Sequence, residues 1–257
     1  MTLKERLKGF RATLLGIDPF VMKLRYKLFH KSKKGSIEEF IDQHAKKIKN
    51  LKFMQIGGND GFVKDPIFRF VKKYRWKGIV VEPQKEVFYK RLKRTYRLEK
   101  NVVLENVAIA AQQGIKTLYK LAISNSRWAT GLATFDRKTL ESQIERNYVD
   151  DRARREGIRL PANKNDYIVE EAVPCETIDG LMKKHQFLSL DLLQIDTEGF
   201  DFEIIKTIDF EKVKPVIISF ESEHLSAADR EACFTLLTSR GYVVSDIGRD
   251  SVAVRER

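Results

Sequence analysis

From residue 51 to the C-terminus, short apolar runs alternate with segments whose apolar residues recur every three or four positions. The runs at 51–56, 78–81, 102–104, 190–195 and 216–220 predict strands, and the segments at 66–74, 85–97 and 227–240 predict helices. Two further runs, 242–246 and 251–254, predict a closing pair of strands. Strands that alternate with helices imply an α/β fold, a doubly wound, mostly parallel sheet with helices on both faces. The alternation lapses over 125–172, a polar segment in which Arg152, Arg154 and Arg155 stand beside Asp150 and Asp151. This stretch reads as an insertion with one helix over 139–155 and a lid-like remainder, near the carboxyl ends of the strands where such folds bind their ligands. Upstream, Leu3, Leu7, Phe10 and Leu14 recur at helical spacing among lysines and arginines, and Asp18-Pro19 breaks that pattern. Residues 1–35 therefore read as a basic helical appendage and 36–257 as one large domain. Ser36 and Glu39, at capping-box spacing, open that domain with a helix running toward Lys49.

Charge refines this division. The chain carries a net +12 over 257 residues, of which residues 1–34 hold +8 and residues 64–100 hold +9. The remainder is mildly acidic, so an anionic partner is expected near the N-terminal portion, and residues 1–34 are expected to dock on an anionic membrane surface. No apolar run is long enough to span a bilayer, and no apolar core follows Lys4, Arg6, Lys8 and Arg11 to make a secretory signal. Cys175 and Cys233 are too few for a disulfide framework, and His30, His44, His185 and His224 form no local metal motif. The expected location is the cytoplasm, with the basic segment resting peripherally on the cytosolic membrane face.

Four strand ends carry chemistry. The first runs into Gly57-Gly58-Asn59-Asp60-Gly61, where glycines allow a tight turn and close approach of a ligand. The second ends in Glu82-Pro83, with Glu82 21 residues after Gly61, the spacing at which a strand-end acid grips a ribose diol. The pattern is G-G-x-x-G, not the dinucleotide G-x-G-x-x-G, so a nucleoside cofactor without a pyrophosphate, S-adenosylmethionine in shape, fits better. The third element is Asn106-Val107-Ala108-Ile109, a polar residue and small apolar ones suited to the edge and face of an adenine. The fourth, Ile195-Asp196-Thr197-Glu198-Gly199, delivers two carboxylates beside the first strand of a doubly wound sheet, at the cofactor's reactive end. The same residues also suit helix capping, with Asp196 or Thr197 as the cap and Glu198 in the first turn.

With these elements in order, and with Val173-Pro174-Cys175-Glu176-Thr177-Ile178-Asp179 between the third and fourth, residues 51–255 resemble the FkbM family of methyltransferases. That resemblance implies a Rossmann-like class I methyltransferase using S-adenosyl-L-methionine and methylating an oxygen, often on a sugar or polyketide-like product. It implies cofactor contacts at Gln55, Gly57, Gly58, Asn59, Gly61, Glu82, Asn106, Ala108 and Asp196. Two positions depart from the family pattern: Gln55 stands where an acid is usual, and Gly58 where alanine is usual.

A hydroxyl acceptor benefits from proton removal, and Asp196, Glu198 and His224, in that order, are the candidate bases. Glu221 and Glu223 are placed to shape the pocket or to help bind a metal, Mg²⁺ being compatible with clustered carboxylates, but no metal is predicted. Two other classes of function fit part of the chain. Aromatic and basic residues mix in Tyr74-Arg75-Trp76-Lys77 and Phe88-Tyr89-Lys90-Arg91, as on RNA-binding surfaces; an RNA methyltransferase would use them, although no N-P-P-[YF] motif follows the fourth strand. A non-catalytic module binding an anionic surface would explain the basic N-terminus but not the strand-end carboxylates. The acceptor expected here is a glycan or small molecule, with nucleic acid disfavoured.

Overall fold

The computed structural model describes residues 32–255. The basic helices expected over residues 2–30 lie outside the described residues. Ser36 caps the first described helix, α1 (Ile37–Ala45), accepting a hydrogen bond from the Glu39 backbone N–H as the capping-box spacing predicts.

Seven strands form the main sheet: β1 (Lys52–Ile56), β2 (Lys77–Val81), β3 (Val102–Glu105), β7 (Leu192–Ile195), β8 (Ile217–Glu221), β9 (Val243–Ile247) and β10 (Asp250–Val254). Their order is β3-β2-β1-β7-β8-β10-β9, parallel from β3 to β8, with β10 antiparallel to both of its neighbours. The order reverses between β1 and β7, and that switch point is where the carboxyl ends of the strands open a crevice.

Strand alternation separates two cores. Met54 and Ile56 of β1 join Ile79, Val81, Leu193 and Ile195 on one face, against α7 (Ile178–Lys184), α8 (Asp201–Lys206) and α9 (Ala227–Ser239). Phe53 joins Val80 and Leu192 on the other, against α1, α2 (Phe68–Tyr74) and α3. Helix α3 is an α-helical turn at Lys85–Val87, a π-helical turn at Phe88–Leu92 and a last α-helical turn at Lys93–Tyr96. Helix α2 starts two residues later than its proline suggests, because the buried Asp65 accepts the Ile67 and Phe68 backbone N–H groups through Oδ1.

The interrupting segment is built differently from the expectation. A second sheet, ordered β4-β6-β5, joins β4 (Ala108–Ile109), β5 (Gly114–Leu121) and β6 (Ile168–Glu176), with β5 and β6 antiparallel over eight paired positions. Between β5 and β6 lie α4 (Arg127–Thr130), α5 (Arg137–Glu145) and α6 (Tyr148–Glu156). The single helix expected over 139–155 is thus two, broken at Asn147, whose left-handed backbone (φ 59°) ends one helical path and starts another. Leu140, Ile144, Val149 and Ala153 pack α5 and α6 onto Leu121 and Tyr167.

Candidate active site

The carboxyl ends of β1, β2 and β7 and the segment from α4 to Phe135 enclose a cavity of about 610 Å³, counting its mouth. Of the expected cofactor residues, Gly57, Asn59, Glu82, Ala108 and Asp196 line it, as does the candidate base Glu198. Gln55, Gly58, Gly61, Asn106 and His224 do not.

The turn after β1 is fixed by its neighbours. The Gly57 and Gly58 N–H groups both donate to the Val81 carbonyl, at 3.0 and 2.9 Å. Gly57 has φ +83°, and a Cβ there would stand 1.8 Å from the Asp196 carbonyl oxygen, so β1 and the segment after β7 meet backbone to backbone. Glu82 receives this turn: its Oε2 accepts the Asn59 N–H at 2.8 Å, and its Oε1 accepts the Gln84 N–H at 2.9 Å. Burial pushes its carboxyl up to about 7 despite these donors, which favour the charged form. Gln84 also donates through Nε2 to the Thr130 carbonyl at 2.9 Å, tying the end of β2 to α4.

The residues outside the lining have structural partners. Gln55 lies on the same face as Phe53, one residue out of phase with the cavity-lining Ile56, and its Nε2 donates to Asp65 Oδ2 at 2.8 Å. The Gln55 side chain is therefore directed to the α2 face. Asn106 donates from Nδ2 to the carbonyls of Glu82 and Pro83, at 2.8 and 2.9 Å, so it braces the strand-end acid from behind. Gly61 faces α3, where a Cβ would meet Tyr96 and Leu92 at 2.6 and 2.7 Å; Gly58 faces Val80.

Acidic groups gather where β7 and β8 end. Burial and the neighbouring Glu198 and Asp201 push the Asp196 carboxyl upward, although it remains accessible from the cavity that it lines. Glu198 is held at φ 53°, a left-handed backbone that non-glycine residues seldom adopt and that clusters at functional sites. Neither Asp196 nor Thr197 caps the following helix, whose N-cap is Phe200, and Glu198 lies before its first turn, contrary to the capping expectation. Asp201 instead accepts the Thr197 N–H and Oγ1–H through Oδ2 (3.1 and 2.7 Å) and the Glu221 N–H through Oδ1 (3.0 Å). Burial raises Asp201 to about 6.

His224 stands behind Glu198, with Nε2 3.3 Å from Glu198 Oε2 and 3.7 Å from Glu221 Oε2. The hydrogen bond to Glu198 raises the His224 imidazole above its ordinary value. Burial and the Glu198 charge push Glu221 up.

Several lining residues carry no sequence signal that marked them. Arg127 pairs with Asp60 at 3.6 Å and acts as a nearby positive charge for Glu82 and Asp196. Thr130, Leu118 and Phe135 come from the second sheet and its helices. Phe135 packs edge to face against Phe200, ring centroids 5.2 Å apart, and both line the cavity. Phe200 directly follows the Glu198-Gly199 motif in the sequence.

A family model described as the methyltransferase FkbM domain matches residues 55–244. No functionally curated protein matches this sequence. Among solved structures, a methyltransferase FkbM from Methylobacillus flagellatus KT shares 12% identity with a TM-score of 0.47; the match covers 80% of this chain and 44% of that one. A precorrin-6y C5,15-methyltransferase from Geobacter metallireducens GS-15 shares 12% identity, with a TM-score of 0.39 over 89% of this chain and 93% of that one. The delta-N METTL16 methyltransferase domain shares 9%, with a TM-score of 0.43 over 98% and 96%. Structural likeness this distant carries no statement about substrate.

Proposed function

This chain belongs to the FkbM methyltransferase family, and on that premise we propose that it moves the methyl group of S-adenosylmethionine onto a hydroxyl of a sugar, glycan or related small molecule. The observation that carries this reading is the placement of Glu82. Its carboxylate is buried, lines the same cavity as the Gly57–Asn59 turn and the Asp196–Glu198 segment, and has each oxygen oriented by a backbone N–H. Oε1 also accepts from Gln84 Nε2 at 3.2 Å, while Oε2 keeps a second lone pair, which suits a ribose hydroxyl. Ala108, Ile109 and Leu118 offer apolar surface for a purine.

The donor supplies an electrophilic methyl on sulfur; the chain's residues orient the acceptor and take its proton. Asp196 and Glu198 line the cavity, and their carboxylates are placed to accept the hydroxyl proton. His224 acts through Glu198 and not on substrate: it stands 3.3 Å from that carboxylate and outside the lining, which makes it a positioning residue. Phe135 and Phe200 give the acceptor end an apolar platform, and enclosure by α4 and the segment from Gly131 to Phe135 favours alignment of acceptor and methyl.

Among the described residues, no helix is long and apolar enough to cross a membrane. The reading places the enzyme in the cytoplasm, with residues 1–34 on an anionic membrane face where lipid-linked glycans are accessible. The test is incubation of the full chain with S-adenosylmethionine labelled in its methyl group, offered separately to pooled glycans, nucleotide sugars and RNA. Label in the sugar fractions is the expected result. Label confined to RNA would overturn the acceptor class, and the basic stretch at 64–100 would then be the binding surface.

A further inference from the structure

Glu198 lies in the segment after β7, Glu221 ends β8 and His224 lies in the loop that follows it, and each offers an atom within 4.8 Å of the other two. We propose that they form a binding site for a first-row divalent cation of the Mn²⁺ class, next to the acceptor end of the cavity. The assignment of the ion to the acceptor rests on the methyltransfer reading; the binding site itself does not.

Three observations carry it. The first is spacing. Metal–ligand bonds of about 2.1 Å put neighbouring ligand atoms about 3.0 Å apart in an octahedron and about 3.4 Å apart in a tetrahedron. The His224 Nε2 to Glu198 Oε2 and Glu221 Oε2 separations, 3.3 and 3.7 Å, need only small rotations to reach either arrangement.

The second is an orphaned oxygen. Glu221 is only 6% exposed, and its Oε2 accepts no hydrogen bond. Leaving a buried carboxylate oxygen unpaired is costly. Its other oxygen is occupied: Oε1 accepts from Arg249 Nη2 at 2.8 Å, and Arg249 Nε is also bonded to Glu223. Arg249 thus anchors Glu221 by Oε1 and leaves Oε2, the oxygen nearest His224, to the cluster.

The third is the donor set. One imidazole with two carboxylates suits Mn²⁺ or Zn²⁺ better than Ca²⁺, which takes oxygen ligands throughout. Three protein ligands leave coordination positions open, and Glu198 is the member that also lines the cavity. A hydroxyl bound at an open position would be acidified by the ion. Acceptors with adjacent oxygens, such as a vicinal diol of a sugar, would chelate it.

The test uses the full chain stripped with a chelator and titrated with MnCl₂ alone, followed by calorimetry and by electron paramagnetic resonance. The expected result is one saturable site per chain, with nitrogen coupling to the bound Mn²⁺ in the pulsed spectrum. His224→Ala should abolish that coupling and weaken binding by about tenfold or more, and Glu221→Gln should weaken it similarly. The nitrogen signal of the unsubstituted chain needs no variant, so it remains decisive if Glu221→Gln does not fold. Absence of saturable binding, absence of nitrogen coupling, or binding unchanged in His224→Ala would overturn the site. S-adenosylmethionine binding, measured on the same stripped chain, keeps the two readings apart. Donor binding without Mn²⁺ binding removes the cation site alone, and Mn²⁺ binding without donor binding removes the methyltransfer reading alone.

Discussion

Replacing Gly57 with alanine should damage this protein through two separable effects, and a second glycine isolates one of them. Gly57 and Gly157 both have left-handed backbones, at φ +83° and +68°. An alanine forced into that region is destabilised by roughly 1–2 kcal/mol relative to glycine. At Gly157, the cap of α6, a Cβ would meet nothing within 4 Å, so Gly157→Ala should show that effect alone. At Gly57 a Cβ would lie 1.8 Å from the Asp196 carbonyl oxygen, and reaching even 3.0 Å requires the two backbones to part by roughly 1.2 Å. That movement strains the bond from the Asp196 N–H to the Ile56 carbonyl, 3.0 Å long, whose loss would remove about 1 kcal/mol more. Gly57→Ala should therefore lose about 2–3 kcal/mol, a fall in Tm of about 4–12 °C, against about 2–8 °C for Gly157→Ala. Displacing Asp196 also moves a wall of the cavity, so Gly57→Ala should lose affinity for S-adenosylmethionine while Gly157→Ala keeps it. Differential scanning fluorimetry and isothermal titration calorimetry read the two effects. Equal Tm shifts for the two variants, with donor affinity intact in both, would refute the close approach of β1 to the segment after β7.

Glu82→Gln should weaken S-adenosylmethionine binding by about 1.5–3 kcal/mol, because one charged acceptor is exchanged for an amide whose N–H₂ opposes a backbone N–H. In the unsubstituted chain, donor affinity measured by calorimetry should fall as pH drops through about 7, where Glu82 takes up its proton. The stability sign is opposite: the folded value lies above the ordinary 4.5, so Glu82's contribution is fully present below pH 4.5 and is lost as pH rises to about 7. Denaturant titrations from pH 5 to pH 8 should show a shallower decline in Glu82→Gln. Asp196→Asn and Glu198→Gln should each lower kcat on the acceptor without changing the circular dichroism spectrum; full turnover in both would leave neither as the proton acceptor. The full chain should sediment with anionic vesicles and be released by salt, and reversing the charges of Lys4, Arg6, Lys8 and Arg11 should abolish this. Sedimentation unchanged by that reversal would move the contact to the basic stretch at 64–100.

What the linear chain determined by itself is whatever depends on neighbours along it. Apolar periodicity located every strand of the main sheet to within two residues, since burial of alternate or successive side chains is written locally. The strand-end placement of Gly57, Glu82 and Asp196 followed, because a chain leaving a parallel strand must turn at its carboxyl end, and that is where β1, β2 and β7 open the cavity. What only the tertiary structure decided is whatever depends on two distant segments meeting. The edge strand β5 was invisible because its first four residues, Gly114 to Thr117, are exposed and its pairing with β6 spans some fifty residues. Arg127, Thr130 and Phe135 entered the cavity wall through that pairing, and no local pattern distinguishes them from surface residues. Gln55 and Asn106 stand outside the cavity lining for the same reason. Their residue types suit a ligand, but strand phase turns Gln55 toward Asp65, and Asn106 finds the carbonyls of Glu82 and Pro83 before it finds the cavity. His224, 26 residues from Glu198, became its partner only when β8 was laid beside β7, which brought an imidazole and two carboxylates to one point.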